Sequence, residues 1–161
     1  KQTLLIITAL MLIVGCSKTI DGNTLIRSTG DLMYAPGSDK PYSGEAVWYY
    51  DNGQKREEGT FKDGEKDGVW TEWYDNGQKE KEVTYKDGKQ DGKWTGWNEN
   101  GEKRYEGTSK DGELDGLSTA WYDNGQKSGE ATFKDGELIS SKCWDQDGDE
   151  CECSEWGPGC D

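Results

Sequence analysis

Gly68-Val69-Trp70-Thr71-Glu72-Trp73-Tyr74-Asp75-Asn76-Gly77 opens a block of 24 residues that this chain writes four times. Its counterparts begin at Gly44, Gly92 and Gly116. Each block runs from a Trp/Tyr-rich stretch to an Asn-Gly pair (Asn52-Gly53, Asn76-Gly77, Asn100-Gly101, Asn124-Gly125). Each then reaches an Asp-Gly pair: Asp63-Gly64, Asp87-Gly88, Asp111-Gly112 and Asp135-Gly136. A period of this length belongs to a repeat array. Arrays present extended surfaces more often than they enclose pockets for chemistry.

Asn-Gly and Asp-Gly between aromatic or β-branched runs are hairpin signals, because both central residues of the tight turn need positive φ. Each unit therefore predicts two strands. In the second unit these are 69–74 and 80–85, joined at Asn76-Gly77, and the Asp-Gly connection leads onward. The fold class is all-β: an elongated antiparallel meander of hairpin repeats forming one twisted sheet. A two-residue loop at Asn76-Gly77 would set Trp70 opposite Val83 and Tyr74 opposite Lys79. Because the period is even, every unit keeps the same facing and like residues stack in columns. One column reads Tyr49, Trp73, Trp97, Trp121. On the other face, one reads Ala46, Trp70, Trp94, Ser118 and another Phe61, Tyr85, Ser109, Phe133. With rings on both sides, the sheet is expected to twist strongly, close one face and leave the other as a groove.

The domain plan follows: a signal segment at 1–16, a tether at 17–30, an N-terminal cap hairpin at 31–43, four repeats at 44–139 and a C-terminal cap at 140–161. The cap hairpin turns at Pro36-Gly37. The C-terminal Asp145-Gln146-Asp147-Gly148 echoes the repeat turn as a decayed half-unit.

Composition narrows the function classes. The 19 Lys+Arg stand against 33 Asp+Glu, a net charge of −14. That excludes a nucleic-acid footprint, which must be basic. Histidine is absent, which removes the usual general base and catalytic triads. Glu58, Glu82, Glu106 and Glu130 recur once per unit; a cross-strand structural role explains four equivalent copies better than a catalytic pair. The expectation is a non-enzymatic protein without a cofactor. Asp145, Asp147 and Asp149 alternate as calcium ligands would, but Glu150 stands where an EF-hand needs Gly and Trp156 where it needs Glu. Eight Trp and eight Tyr supply the apolar area that the sparse aliphatic residues cannot.

The N-terminal stretch has a charged start and an apolar run from Leu4 to Val14, too short to cross a bilayer as a helix. Leu12-Ile13-Val14-Gly15-Cys16 resembles a bacterial lipobox, which implies acylation of Cys16 and export to the envelope. Ser17 after the cysteine resembles the pattern of lipoproteins sorted to the outer membrane. Cys143, Cys151, Cys153 and Cys160 then remain, an even set that reads as two disulfides in an oxidising compartment. A bond between Cys151 and Cys153 would be strained, so Cys143 is expected to join one of that pair.

The Gly-x-Trp-x-x-Trp-Tyr-x-Asn-Gly and Phe/Tyr-Lys-Asp-Gly units resemble MORN repeats, in the bacterial variant carried by the YwqK-type antitoxin family. The stretch Ser38-Asp39-Lys40-Pro41-Tyr42-Ser43-Gly44 and a Cys143-to-Gly148 exit are similar to that family as well. The resemblance implies a β-hairpin array used for protein interaction or scaffolding. It also implies antitoxin or immunity-like neutralisation of a protein toxin, a role at odds with an export signal. Trp48-Tyr49-Tyr50-Asp51-Asn52-Gly53 is similar to glycan- and choline-binding hairpin repeats. This implies a second possibility: cell-wall or surface glycan stacked on an aromatic ladder. The candidate binding surface is thus Tyr49, Trp73, Trp97 and Trp121, with Trp70 and Trp94. The expected partners are a membrane, through the lipid, and another protein or a cell-wall glycan.

Overall fold

The computed structural model describes residues 19–28, 30–153 and 160. The signal segment and Cys16 lie outside the described residues, as do residues 154–159.

The repeats form one long sheet of hairpins. Its strands are β4 (Gly44–Tyr49), β5 (Lys55–Lys62), β6 (Glu65–Trp73), β7 (Lys79–Lys86), β8 (Lys89–Trp97), β9 (Lys103–Lys110), β10 (Glu113–Leu114), β11 (Gly116–Trp121), β12 (Lys127–Lys134) and β13 (Glu137–Trp144). Each pairs antiparallel with its neighbours in chain order, with β10 a short partner of β9. A last strand, β14 (Glu150–Cys151), pairs with β13. The expected meander and its period are therefore the observed ones. The sheet is not wholly antiparallel, however: β1 (Ile20–Asp21) adds in parallel to β4, with Ile20 opposite Ala46.

The two kinds of turn obey different physics. At Asp63-Gly64, Asp87-Gly88, Asp111-Gly112 and Asp135-Gly136 both residues have positive φ (51° and 87° in the first pair), the two-residue turn expected. At the Asn-Gly turns glycine alone does. There Gly77 N–H donates to Tyr74 C=O at 3.0 Å and Tyr74 N–H to Gln78 C=O at 2.9 Å. The loop is Asp75-Asn76-Gly77, a type I turn followed by a left-handed glycine and a bulge. Asn76 acts through its side chain instead, its Oδ1 accepting from Gln78 N–H at 2.9 Å. Trp70 does face Val83, but the bulge falls between Glu72 and Trp73, so Lys79 faces Trp73 and not Tyr74.

From this closing pair Tyr74 reaches forward, and its hydroxyl donates to the Trp97 carbonyl at 2.8 Å. Tyr50 to Trp73 (2.6 Å) and Tyr122 to Trp144 (2.9 Å) repeat the strut. The opposite edge has its own ladder, with Gly88 N–H donating to Lys66 C=O and Gly112 N–H to Gln90 C=O.

Of the segment expected as a tether, the described residues 19–28 are structured. After β1, a 3-10 turn at Gly22–Thr24 and β2 (Ile26–Arg27) follow, and β2 pairs with β3 (Met33–Tyr34). The cap hairpin at 31–43 survives as one bridge, Tyr34 opposite Pro41. Ile20, Leu25, Met33 and Tyr42 pack over Ala46, Phe61 and Trp70, which form the core. Trp70 is 2% exposed. Phe61 meets it edge-on at 4.8 Å, and Trp48 lies 5.9 Å away. Each such ring pair contributes about 0.5–1.5 kcal/mol beyond burial. The closed half of the sheet and the open groove described below therefore lie on the same face, the Trp70 face, and not on opposite ones.

Candidate functional site

The Trp73 column is already occupied by the protein's own cations. Lys55 Nζ sits 5.6 Å from the Trp73 ring centre, Lys79 Nζ 5.7 Å from Trp97 and Lys103 Nζ 5.8 Å from Trp121. Each lysine is also held by a recurring glutamate: Lys55 by Glu58, Lys79 by Glu82 at 2.5 Å, Lys103 by Glu106 at 2.7 Å. The hydrogen bond that Lys55 donates to the Glu58 carboxylate is the main reason that the Lys55 pKa is raised. The glutamate column thus anchors the lysines, and it lies opposite threonines, Glu82 facing Thr71. Trp73, Trp97 and Trp121 are half-buried, while Tyr49 at the head of the column is 49% exposed. Sugar or quaternary ammonium stacked on these rings would first have to displace an ion-paired lysine.

Trp70 and Trp94, equivalent in sequence, part company in space. Trp70 lies between Val83 and the Gly59 strand and leans over Gly59, where a Cβ would fall 2.2 Å from its ring. There its indole N–H donates to the Thr60 carbonyl at 3.1 Å. Trp94 lies between Val83 and Gly107. Valine blocks the first direction, so the ring leans over Gly107, with a Cβ there 2.3 Å from it. That direction offers no equivalent carbonyl. The Trp94 Nε1 and the neighbouring Ser118 Oγ are both buried with no hydrogen-bond partner among the described residues. Buried polar groups in that state are uncommon. Trp70, expected on a binding surface, is core; Trp94 borders a real opening.

That opening arises because side-chain volume falls along the Trp70 face. Beyond Trp94 small residues take most of the inward positions: Gly107, Ser109, Ser118, Ala120, Gly129 and Ala131, between the larger Tyr105 and Phe133. The result is a groove of about 420 Å³ with Ser118, Ala120 and Ala131 as floor and Trp94, Tyr105 and Phe133 as walls. Leu138, 58% exposed, stands at its rim. Residues 20–42 cover the first half of this face but do not extend here. The columns ending in Ser118 and passing through Ser109 carry the taper in the sequence, but it becomes a hollow only where Tyr105, Ala120 and Ala131 meet them in the sheet.

The cysteines pair as Cys143–Cys153 and Cys151–Cys160, so Cys143 does join one of the two close cysteines. Cys143 and Cys153 border the groove. The Asp145 carboxylate is spent locally, its Oδ1 accepting from Asp147 N–H at 3.0 Å and Asp149 N–H at 2.9 Å. The backbone reproduces the repeat turn, with Asp145 N–H donating to Asp149 C=O at 2.9 Å and Gly148 N–H to Asp145 C=O at 3.1 Å. Among the described residues no cluster of His, Cys, Asp or Glu is arranged to hold a metal ion.

A family described as MORN repeat variant matches residues 42–63, 66–87, 90–111 and 114–135. A comparison with curated proteins finds no match.

Proposed function

The chain belongs to the MORN repeat variant family, and from that premise we propose that it is a non-enzymatic envelope lipoprotein, held to a membrane by an acylated Cys16. Its repeat array serves as a docking surface for another protein. Repeats of this family commonly act as protein- or membrane-interaction modules. The observation that carries the reading is the uneven cover of the Trp70 face: the chain's own residues 20–42 seal the first half, and the groove from Trp94 to Phe133 stays open. A partner segment laid there would continue what residues 20–42 begin, burying the apolar floor against Trp94, Tyr105 and Phe133. The lysines over Trp73, Trp97 and Trp121 count against glycan stacking on those rings.

The test is position-specific cross-linking in intact envelopes. A photoreactive residue at Ala120 should give a discrete protein adduct, and one at Val69, exposed on the opposite face, should not. Ser118→Trp, which restores the ring of the neighbouring units and fills the groove, should abolish the adduct. Adducts from Val69 but not from Ala120 would move the docking surface to the other face.

A further inference from the structure

We propose that Asn100 is the site of spontaneous deamidation in this chain, ahead of the three Asn-Gly pairs at matching places in the other units. This goes beyond the docking role and does not depend on it.

All four pairs share the intrinsic hazard, since glycine leaves its own nitrogen unshielded toward the preceding side-chain amide. All four are also guarded by the turn. The glycine N–H is engaged with the carbonyl three residues back (2.9 Å for Gly53, 2.8 Å for Gly101), and each Asn Oδ1 accepts from the residue two positions on. Reaction therefore requires the turn to open and the Asn side chain to come free, which the bonds from a loop's own side chains to the next unit oppose directly. The bonds received from the unit before, such as Tyr74 to Trp97 and Asn76 to Glu99, end on carbonyls that precede the Asn.

Those bonds differ in one unit. Asn52 Nδ2 donates to the Asp75 carbonyl at 2.9 Å, Asn76 to Glu99 at 3.1 Å and Asn124 to Gln146 at 3.0 Å. Tyr50, Tyr74 and Tyr122 add their hydroxyl struts in the same units. The third unit has Asn98 in place of the tyrosine. Asn98 Nδ2 instead takes the Asp123 carboxylate at 2.9 Å, and Asn100 Nδ2 turns back to Glu102 within its own loop, also at 2.9 Å. One exposed side-chain bond thus replaces two bonds to backbone carbonyls.

When this turn opens, the Gly101 nitrogen attacks Asn100 Cγ and the C–N bond to the amide breaks. The Gly101 proton leaves with the amide nitrogen as ammonia, and a five-membered succinimide remains. Water then opens either carbonyl of the ring, giving aspartate or isoaspartate with no change in oxidation state. Isoaspartate inserts a methylene into the main chain between β8 and β9, which carry Trp94 and Tyr105. Either product adds a negative charge beside Glu99 and Glu102.

The folded protein, aged in mildly alkaline buffer at body temperature, should be sampled over time and its peptides resolved by mass and by isoaspartate content. Asn100 should convert roughly tenfold faster than Asn52, Asn76 or Asn124, the factor that losing one ordinary hydrogen bond adds to a local opening. In strong denaturant the four rates should converge. Asn98→Tyr, which rebuilds the strut, should slow Asn100 toward the others. Equal folded rates, an Asn100 lead that persists in denaturant, or no response to Asn98→Tyr would each overturn the proposal.

Discussion

The Tyr74 hydroxyl and the Trp97 carbonyl, 2.8 Å apart, tie the end of one hairpin to the start of the next across 23 residues of chain. Tyr74 keeps its backbone bond to Gln78 at the closing pair beyond the bulge, and its side chain spans to the next unit. A surface of aromatic residues thereby becomes a series of rivets. Tyr74→Phe should cost about 0.5–1.5 kcal/mol in a denaturant titration, the usual net value of one such bond. An unchanged midpoint would remove the strut from the account.

The same tyrosines set a pH dependence. Burial first, then the Glu80 carboxylate, raises the pKa of both Tyr50 and Tyr74 above the ordinary 10.0. A raised value in the folded state means that the contribution is whole below that ordinary value and fades as pH climbs through the folded one. Thermal melting should therefore decline steeply above the tyrosine range, and less steeply in the double Phe variant. Identical slopes would show that the hydroxyls do not titrate with unfolding.

The two tryptophan columns should separate on mutation. Trp70→Ala opens the core and should cost roughly 3–5 kcal/mol. Trp97→Ala removes a half-buried ring and its lysine contact, a loss nearer ~1–2 kcal/mol. Urea midpoints decide, and a reversed order would exchange the roles of the faces.

Tryptophan fluorescence should stay flat when soluble peptidoglycan fragments are added, because Lys55, Lys79 and Lys103 already cover the Trp73, Trp97 and Trp121 rings. A saturable shift would restore the glycan reading.

Removing the Cys143–Cys153 bridge, whose partners stand 10 residues apart, opens a short loop at the terminal edge. Cys143→Ser with Cys153→Ser should lower stability by about 2–3 kcal/mol. Calorimetry should place the loss in the last hairpins and leave the first two units unaffected.

Anchoring is tested by Cys16→Ser, which should move the protein from the membrane pellet to the soluble fraction. Retention in the pellet would remove the lipid from the proposal.

Most of the architecture could be read before any coordinates. The hairpins, the stacked columns and the pairing of Trp70 with Val83 come from local chemistry repeated at an even interval; strain told only that Cys143 joins Cys151 or Cys153, and the fold chose Cys153. The Asn-Gly turn type could not be read this way. Two-residue and bulged loops share the signal, and Asn76 contributes its side chain instead of a positive φ. The fate of 17–30 was equally hidden. Its residues look like a polar linker until Ile20 and Leu25 pack on the cluster of Ala46, Phe61 and Trp70.

The sequence by itself determined the sheet, the period and the alternation of its faces, since each depends on neighbours a few residues apart and on the parity of the repeat. Tertiary structure alone decided which face is covered, where it stays open and which rings are free. Those outcomes turn on Val83 deflecting Trp94, on lysines of one unit lying over rings of the next, and on residues 20–42 folding back. Such contacts join residues that the pattern of a single unit does not relate.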